Sequence, residues 1–256
     1  MEIKFIGTGS GKTSLKRFHS SFIILSPNFN LLVDAGDGIS KALLKSKISF
    51  DQIDGILFSH LHPDHFSGFA GLIVQMKLTN RKKPLRVFVH EKLSGVVQNF
   101  LYTSYIFKER MDFEIEYEEF KHEEKIRINE DINFLSKQNS HLDQYVKYDK
   151  EKRLNFICSS FLFGLKNKNV FYTGDIGSAN DLYLFKELKI HTIICETTHL
   201  EMSELLRCFN KLRPGEIFLT HLDDDSESKI EEWKHSISER IRNKFVVASD
   251  EMSVSI

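Results

Sequence analysis

At 256 residues, with 41% apolar positions and 22 phenylalanines, the chain has the length and the material for one sizeable buried core. Its 35 Lys and Arg nearly cancel its 36 Asp and Glu, leaving a formal charge of −1, and that balance argues against a protein that grips long nucleic acids through counterion release. No stretch approaches the roughly 18 apolar residues of a membrane span, and the start MEIKFIGTGSGK has neither an apolar h-region nor a small-residue cleavage site. A cytoplasmic protein with no membrane partner is therefore expected. Cys158, Cys195 and Cys208 are odd in number, sit in apolar or helical surroundings and form no CxxC, so they read as reduced buried thiols.

In chain order, Glu2–Ile6 alternates as a strand, and a Gly/Ser/Thr/Lys loop follows. Ser21–Ser26 and Asn30–Asp34 read as strands about the turn Ser26-Pro27-Asn28, and Ile39–Ser46 as a short helix after Gly38. Asp54–Phe58 is a buried strand, Phe66–Leu78 a helix, Arg86–Val89 a strand and Glu91–Phe107 a helix. From Asp112 to Leu135 the segments FEIEY, KIRI and INFL predict antiparallel strands, and Leu154–Leu165 with Asn169–Tyr172 predict a hairpin. Helices at Ala179–Leu188, Glu201–Leu212 and Glu227–Ile241 then alternate with strands at His191–Cys195, Glu216–Thr220 and Phe245–Ser249. With no repeat or linker in view, this is one α/β domain over residues 1–256, its sheets covered by helices.

Chemistry concentrates in Ser59-His60-Leu61-His62-Pro63-Asp64-His65, directly after a buried strand. On an extended loop His60 and His62 point to one side and reach a single ion. Past the Pro63 bend, Asp64 and His65 face a second. Imidazole suits zinc and similar first-row metals, and a carboxylate adds harder oxygen character. One loop cannot fill two coordination spheres, and three further candidates also stand at strand ends: His141 after INFLSKQNS, Asp175 after VFYTG, and His221 after EIFLT. A carboxylate donates one oxygen to each of two ions, which makes Asp175 the natural bridge. Gly7-Thr8-Gly9-Ser10-Gly11-Lys12-Thr13 is not a P-loop, because the glycine required five residues before Gly11 is Ile6, and it is not a dinucleotide fingerprint either. Lys77, Arg81, Lys82, Lys83 and Arg86 read as a solvated turn, and His19, His90, His122, His191 and His235 as packing or surface residues.

The order His-x-His-x-Asp-His, distant His, Thr-Gly-Asp, distant Thr-His resembles the metallo-β-lactamase superfamily. The glycine loop, Leu31-Leu32-Val33-Asp34-Ala35-Gly36-Asp37-Gly38 and Phe66-Ser67-Gly68-Phe69-Ala70-Gly71-Leu72 are similar to its ribonuclease Z-like branch. The resemblance implies a four-layer αβ/βα sandwich, an α/β fold with the metals at one edge. His60, His62 and His141 would hold one ion, Asp64, His65 and His221 the other, with Asp175 between them. It implies two divalent metal ions, zinc or manganese, and a homodimer. Asp64 would also border the attacking water, and Asp34 would accept a ring N–H from a ligating histidine. Phosphodiester cleavage further needs a group for the leaving alkoxide, and His199, after the strand that ends in Cys195-Glu196, is assigned as general acid or phosphate clamp, supported by Glu196.

Two departures from ribonuclease Z set the expected substrate. A histidine directly precedes the matching glutamate there; here that position is Cys195, and Glu196-x-x-His199 looks more like the superfamily's cyclic-nucleotide phosphodiesterases. The long tRNA-clamping arm is absent too, since His141 and Asp175 are only 34 positions apart. Glu109–Asp131, with ten acidic and four basic residues, is a poor surface for a polyanion. The expected function is thus hydrolysis of a small phosphodiester, a cyclic nucleotide in particular. The alternatives are a ribonuclease Z-type endonuclease processing tRNA 3′ ends, another ester or cyclic phosphate hydrolase, and a non-enzymatic metal-binding module. Tyr145 and Tyr148, just beyond His141, would stack on a nucleobase or pack on the protein body.

Overall fold

The alternating segment at the start of the chain opens a seven-stranded sheet in a computed structural model that describes residues 1–256. Two compact units divide the chain: Met1–Lys121 with Asp250–Ile256, and His122–Ser249.

The first unit contains β1 (Glu2–Gly7), β2 (Ser21–Leu25), β3 (Leu31–Val33), α1 (Ile39–Lys45), β4 (Gly55–Leu57), α2 (Pro63–Phe66), α3 (Phe69–Leu78), β5 (Leu85–His90), α4 (Glu91–Thr103) and β6 (Ile115–Phe120). A C-terminal strand, Ser253–Ser255, pairs antiparallel with β1, and β1, β2 and β3 continue antiparallel. From β3 to β6 the pairing is parallel, because helical crossovers return the chain to the same edge each time. The expected antiparallel pairing of FEIEY is corrected here: β6 lies parallel to β5, delivered by α4. The expected helix Phe66–Leu78 is also interrupted at Ser67-Gly68. A Cβ on Gly68 would lie 2.0 Å from the Gly36 carbonyl oxygen, so the two backbones meet there and the helix restarts as α3. Phe58 at the end of β4 makes edge contacts at 5.1 Å with both Phe66 and Phe69, locking the metal loop between strand and helix.

The second unit contains β7 (Lys125–Arg127), β8 (Ile132–Gln138), β9 (Ser159–Leu165), β10 (Lys168–Tyr172), β11 (Thr192–Glu196), α5 (Met202–Leu212), β12 (Glu216–Thr220), α6 (Ser226–His235), α7 (Glu239–Arg242) and β13 (Phe245–Val247). Its sheet repeats the pattern of the first, antiparallel from β7 to β10 and parallel from β10 to β13. The predicted helix Ala179–Leu188 shrinks to a 3₁₀ turn at Ala179–Tyr183, where a Ser178/Asp181 capping box ties the chain locally. The predicted helix Glu227–Ile241 splits into α6 and α7, and the Arg242 guanidinium donates to the carbonyls of Lys234 and Ile237 across the break. Leu182, Phe185, Ile193, Leu205, Ile217 and Phe245 belong to the core cluster beneath these helices.

The basic run is not a solvated turn throughout. Arg81 is 1% exposed, donates to the carbonyls of Phe50, Lys83 and Pro84, and lies over the Phe113 ring at 5.5 Å. Lys82 and Lys83 pair with Asp112 and Asp54, and Arg86 with Glu118. Three of these cations are thereby directed at carboxylates of the same unit.

His90 caps α4, its Nδ1 accepting the Lys92 N–H at 3.2 Å, which requires the neutral ring. Burial lowers its pKa below 6.5, outweighing the neighbouring Glu91. The neutral state is therefore favoured in the fold. Its contribution is complete above the unfolded value near 6.5 and is lost as pH falls through the folded pKa. Urea unfolding at pH 7.5 and pH 5.5 (both approximate settings either side of the His transition) is expected to show less acid loss in His90→Gln than in the parent. An identical loss in both proteins would overturn this.

Candidate metal centre

In the first unit the metal loop leaves the C-terminal end of β4. His60 and His62 offer ligand atoms within 4.8 Å of each other, and so do Asp64 and His65. Pro63 occupies the first position of α2, which bends the chain between the two pairs. Asp34, fully buried and with φ +62°, organises this loop. Its carboxylate accepts from the Ser59 N–H at 2.7 Å, the Ser59 hydroxyl at 2.8 Å and His65 Nδ1 at 2.8 Å. A carboxylate only accepts here, so His65 carries its proton on Nδ1 and presents an Nε2 lone pair. The Ser59 hydroxyl, its proton given to Asp34, accepts from His60 Nδ1 at 3.1 Å and fixes that ring in the same sense. Asp34 thus orients His65 directly, as expected, and reaches His60 through Ser59. Ser59, the relay, was not singled out in the sequence.

The glycine loop packs against this half-site. A Cβ on Gly11 would meet the Asp64 carboxylate at 3.1 Å, and one on Gly36 would lie 1.8 Å from the Asp64 carbonyl oxygen. Asp250 ties the loop down, accepting from the Thr8 N–H and hydroxyl and from the Phe18 N–H. The close contacts of Gly11 and Gly36 give these glycines a structural role beside Asp64.

In the second unit His141, Asp175 and His221 converge from three strand ends. Asp175 Oδ2 lies 3.7 Å from His141 Nε2 and 3.4 Å from His221 Nε2, and all three residues are buried. Gly174, at φ +59°, makes the turn that brings Asp175 round. The Thr198 hydroxyl donates to the His221 carbonyl at 2.8 Å and receives His221 Nδ1, so its Nε2 is again the exposed lone pair. Asp181, which the sequence reading missed, accepts from the N–H groups of Ser140, Gly177 and Ser178 and from the Ser140 hydroxyl. It clamps the His141 loop to the Asp175 loop. The available signal was Ser178-x-x-Asp181, a capping pattern at the start of the predicted helix Ala179–Leu188.

Glu196 is 1% exposed and holds the following turn, accepting from the N–H groups of Thr198 and His199 and from His199 Nδ1 at 3.0 Å. The His199 ring stands 5.0 Å from that of His141 and 6.1 Å from that of His221. His199 is therefore set among the ligand candidates of its unit. Tyr145 and Tyr148 lie on a 3₁₀ turn and are 39% and 69% exposed, the Tyr145 ring edge-on to that of His141 at 6.5 Å.

The donor set fits divalent metal. Each unit gathers imidazole nitrogens and carboxylate oxygens in buried clusters, a composition suited to borderline cations. The cysteines stay out of it: burial holds the Cys208 thiol up at about 12 and pushes Cys195 well above its ordinary value, so both are protonated.

Three comparisons agree with this geometry. The structure superimposes on a metallo-β-lactamase fold protein, YhfI of Bacillus subtilis, with a TM-score of 0.75 at 17% identity, covering 99% of this chain and 98% of that one. It superimposes on the short form of human tRNase Z with a TM-score of 0.73 at 19% identity, covering 100% and 99%. Ribonuclease Z of Saccharolobus solfataricus is 35% identical over 130 residues, 50% of this chain and 43% of that protein, so the chain spans less than half the length of the curated relative it matches. The fold is that of metallo-β-lactamase-fold proteins, and the clustered His and Asp donors suit divalent metal. Within that class, the family model for Anti-Pycsar protein Apyc1 matches residues 1–242, and the chain belongs to that family.

Proposed function

We propose that the chain is a two-metal phosphodiesterase that hydrolyses a cyclic nucleotide. In this reading both units serve one hydrolase domain over residues 1–256. His60, His62, His141 and Asp175 would hold one ion, and Asp64, His65, His221 and Asp175 the other, zinc or manganese. When bound, two such ions supply Lewis acidity and a water acidified toward neutral pH. Asp64 orients that water, and His199 delivers a proton from Nε2 to the leaving alkoxide while Glu196 holds its Nδ1–H. The observation that carries the reading is the Glu196–His199 pair beside His141 and His221. The short His141–Asp175 connection supports a small substrate, since a 3₁₀ turn and the β9–β10 hairpin take up its ordered length.

Assays with Mn or Zn against cyclic nucleotides, a base-free phosphodiester and precursor tRNA test it. Cyclic nucleotides are expected to be cut and precursor tRNA to stay intact. Processing of tRNA 3′ ends, the second reading, is favoured by the ribonuclease Z relatives, and efficient cleavage of precursor tRNA would overturn the first. No helix is long and apolar enough to cross a membrane. Val74 and Leu78 on α3, with Val96 and Tyr102 on α4, are exposed and support a homodimer, which sedimentation would test.

A further inference from the structure

A cleft of about 380 Å³ opens in the second unit, bordered by the turn that carries His199, by the start of α5 and by α6. Its walls are Leu200, Met202, Ile230 and Trp233, with Thr197, Glu201, Ser203, Ser226 and Lys229 adding polar groups. The volume lies in the range of small-ligand sites, and apolar walls with a few polar groups are their usual lining. Trp233 is half-buried, its ring perpendicular to that of Phe245 at 5.1 Å, which holds it in place.

The cleft adjoins the candidate centre at Thr197. Thr197, in its wall, bonds the carbonyls of Thr220 and His221, and Thr198 bonds His221 Nδ1. His199 follows directly. Thr197 thus lines the cleft and touches His221, while the Tyr145 ring stands edge-on to that of His141 at 6.5 Å. One lysine and one glutamate in the lining leave no cationic excess, so a phosphate gains little there. A flat, uncharged heteroaromatic gains a stacking partner in Trp233 and hydrogen-bonding groups for its edge.

We propose that this cleft is the nucleobase subsite, with Trp233 as its stacking platform and Ser203, Ser226 and Lys229 contacting the base edge. The proposal rests on the phosphodiesterase reading. It departs from the expectation that Tyr145 and Tyr148 stack on the base, because those rings are exposed on a single turn whereas the cleft has walls on several elements.

Trp233 is the one tryptophan of the chain, so its fluorescence in the unmodified protein reports on the cleft. Metal-loaded protein is titrated with a nucleoside 5′-monophosphate and, separately, with ribose 5-phosphate, correcting for nucleotide absorbance. Saturable quenching by the nucleotide and not by the sugar phosphate is expected. In kinetics, Trp233→Ala and the milder Trp233→Phe with Lys229→Ala are expected to raise KM for a cyclic nucleotide about tenfold relative to KM for a base-free phosphodiester. Circular dichroism checks that each variant is folded. Turnover of cyclic nucleotides with no fluorescence response would overturn the subsite and leave the phosphodiesterase reading standing. So would a base-selective KM rise in Tyr145→Ala/Tyr148→Ala alone. Wild-type protein that cuts no cyclic nucleotide would overturn both.

Discussion

Asp175→Ala is expected to lower kcat/KM for a phosphodiester by roughly a thousandfold or more, since even the hydrogen-bond partners of metal ligands are worth about 10–100-fold. Asp175 Oδ2 stands within 3.7 Å of His141 and 3.4 Å of His221, and in the proposed two-metal reading its carboxylate would serve both ions. Elemental analysis of Asp175→Ala should therefore show loss at both sites. His62→Ala should mainly empty one, because His65 and His221 keep orienting partners of their own in Asp34 and Thr198. A fall of one metal equivalent in each variant would argue against the bridge. Full activity in a sample shown to be metal-free would end the two-metal mechanism.

The metal loop was legible because its chemistry is local: three histidines and an aspartate in six residues after a buried strand leave few other readings. His141, Asp175 and His221 were legible only through their shared setting at strand ends. What reading the chain left out is long-range. The relay from Asp34 through Ser59 to His60 joins residues 25 apart, and the Asp181 clamp on Ser140 spans 41. The first has no local signature beyond a polar residue near a turn, and the Ser178-x-x-Asp181 pattern carries no mark of its distant partner Ser140. Helix boundaries failed where tertiary contact overrode propensity, at Gly68 against Gly36 and at Arg242 across the α6–α7 break. The pairing of β6 was missed for a related reason, since an acidic alternating strand carries no mark of which edge it will join or in which direction. The C-terminal strand escaped because three residues, SVS, are too short for a pattern. Arg81 reads as surface in any polar run, and only the fold supplies the three carbonyls around it.

Gly36→Ala should separate the backbone's contribution from that of the ligands. The added Cβ would lie 1.8 Å from the Asp64 carbonyl oxygen and 2.3 Å from its carbon, and backbone on both sides leaves no flexible side chain to move aside. The neighbouring residue is already fixed, with the Ala35 N–H on the His65 carbonyl at 2.7 Å and the Ala35 carbonyl receiving the Gly68 N–H at 3.0 Å. Relief must come from displacing Asp64 and His65 themselves. The expected cost is about 3 kcal/mol, at the upper end for overpacking. Protein that remains folded should lose about a hundredfold in kcat, because a shift of roughly 1 Å in a reacting group has that effect. Gly71 in α3 and Gly95 in α4 are the controls: a Cβ there meets nothing within 4 Å. Alanine at either is expected to raise stability by about 0.5–1 kcal/mol. Thermal unfolding of the three variants, paired with metal content, checks the argument. Gly36→Ala with the stability and metal content of the parent would show that Asp64 is not held by this backbone contact.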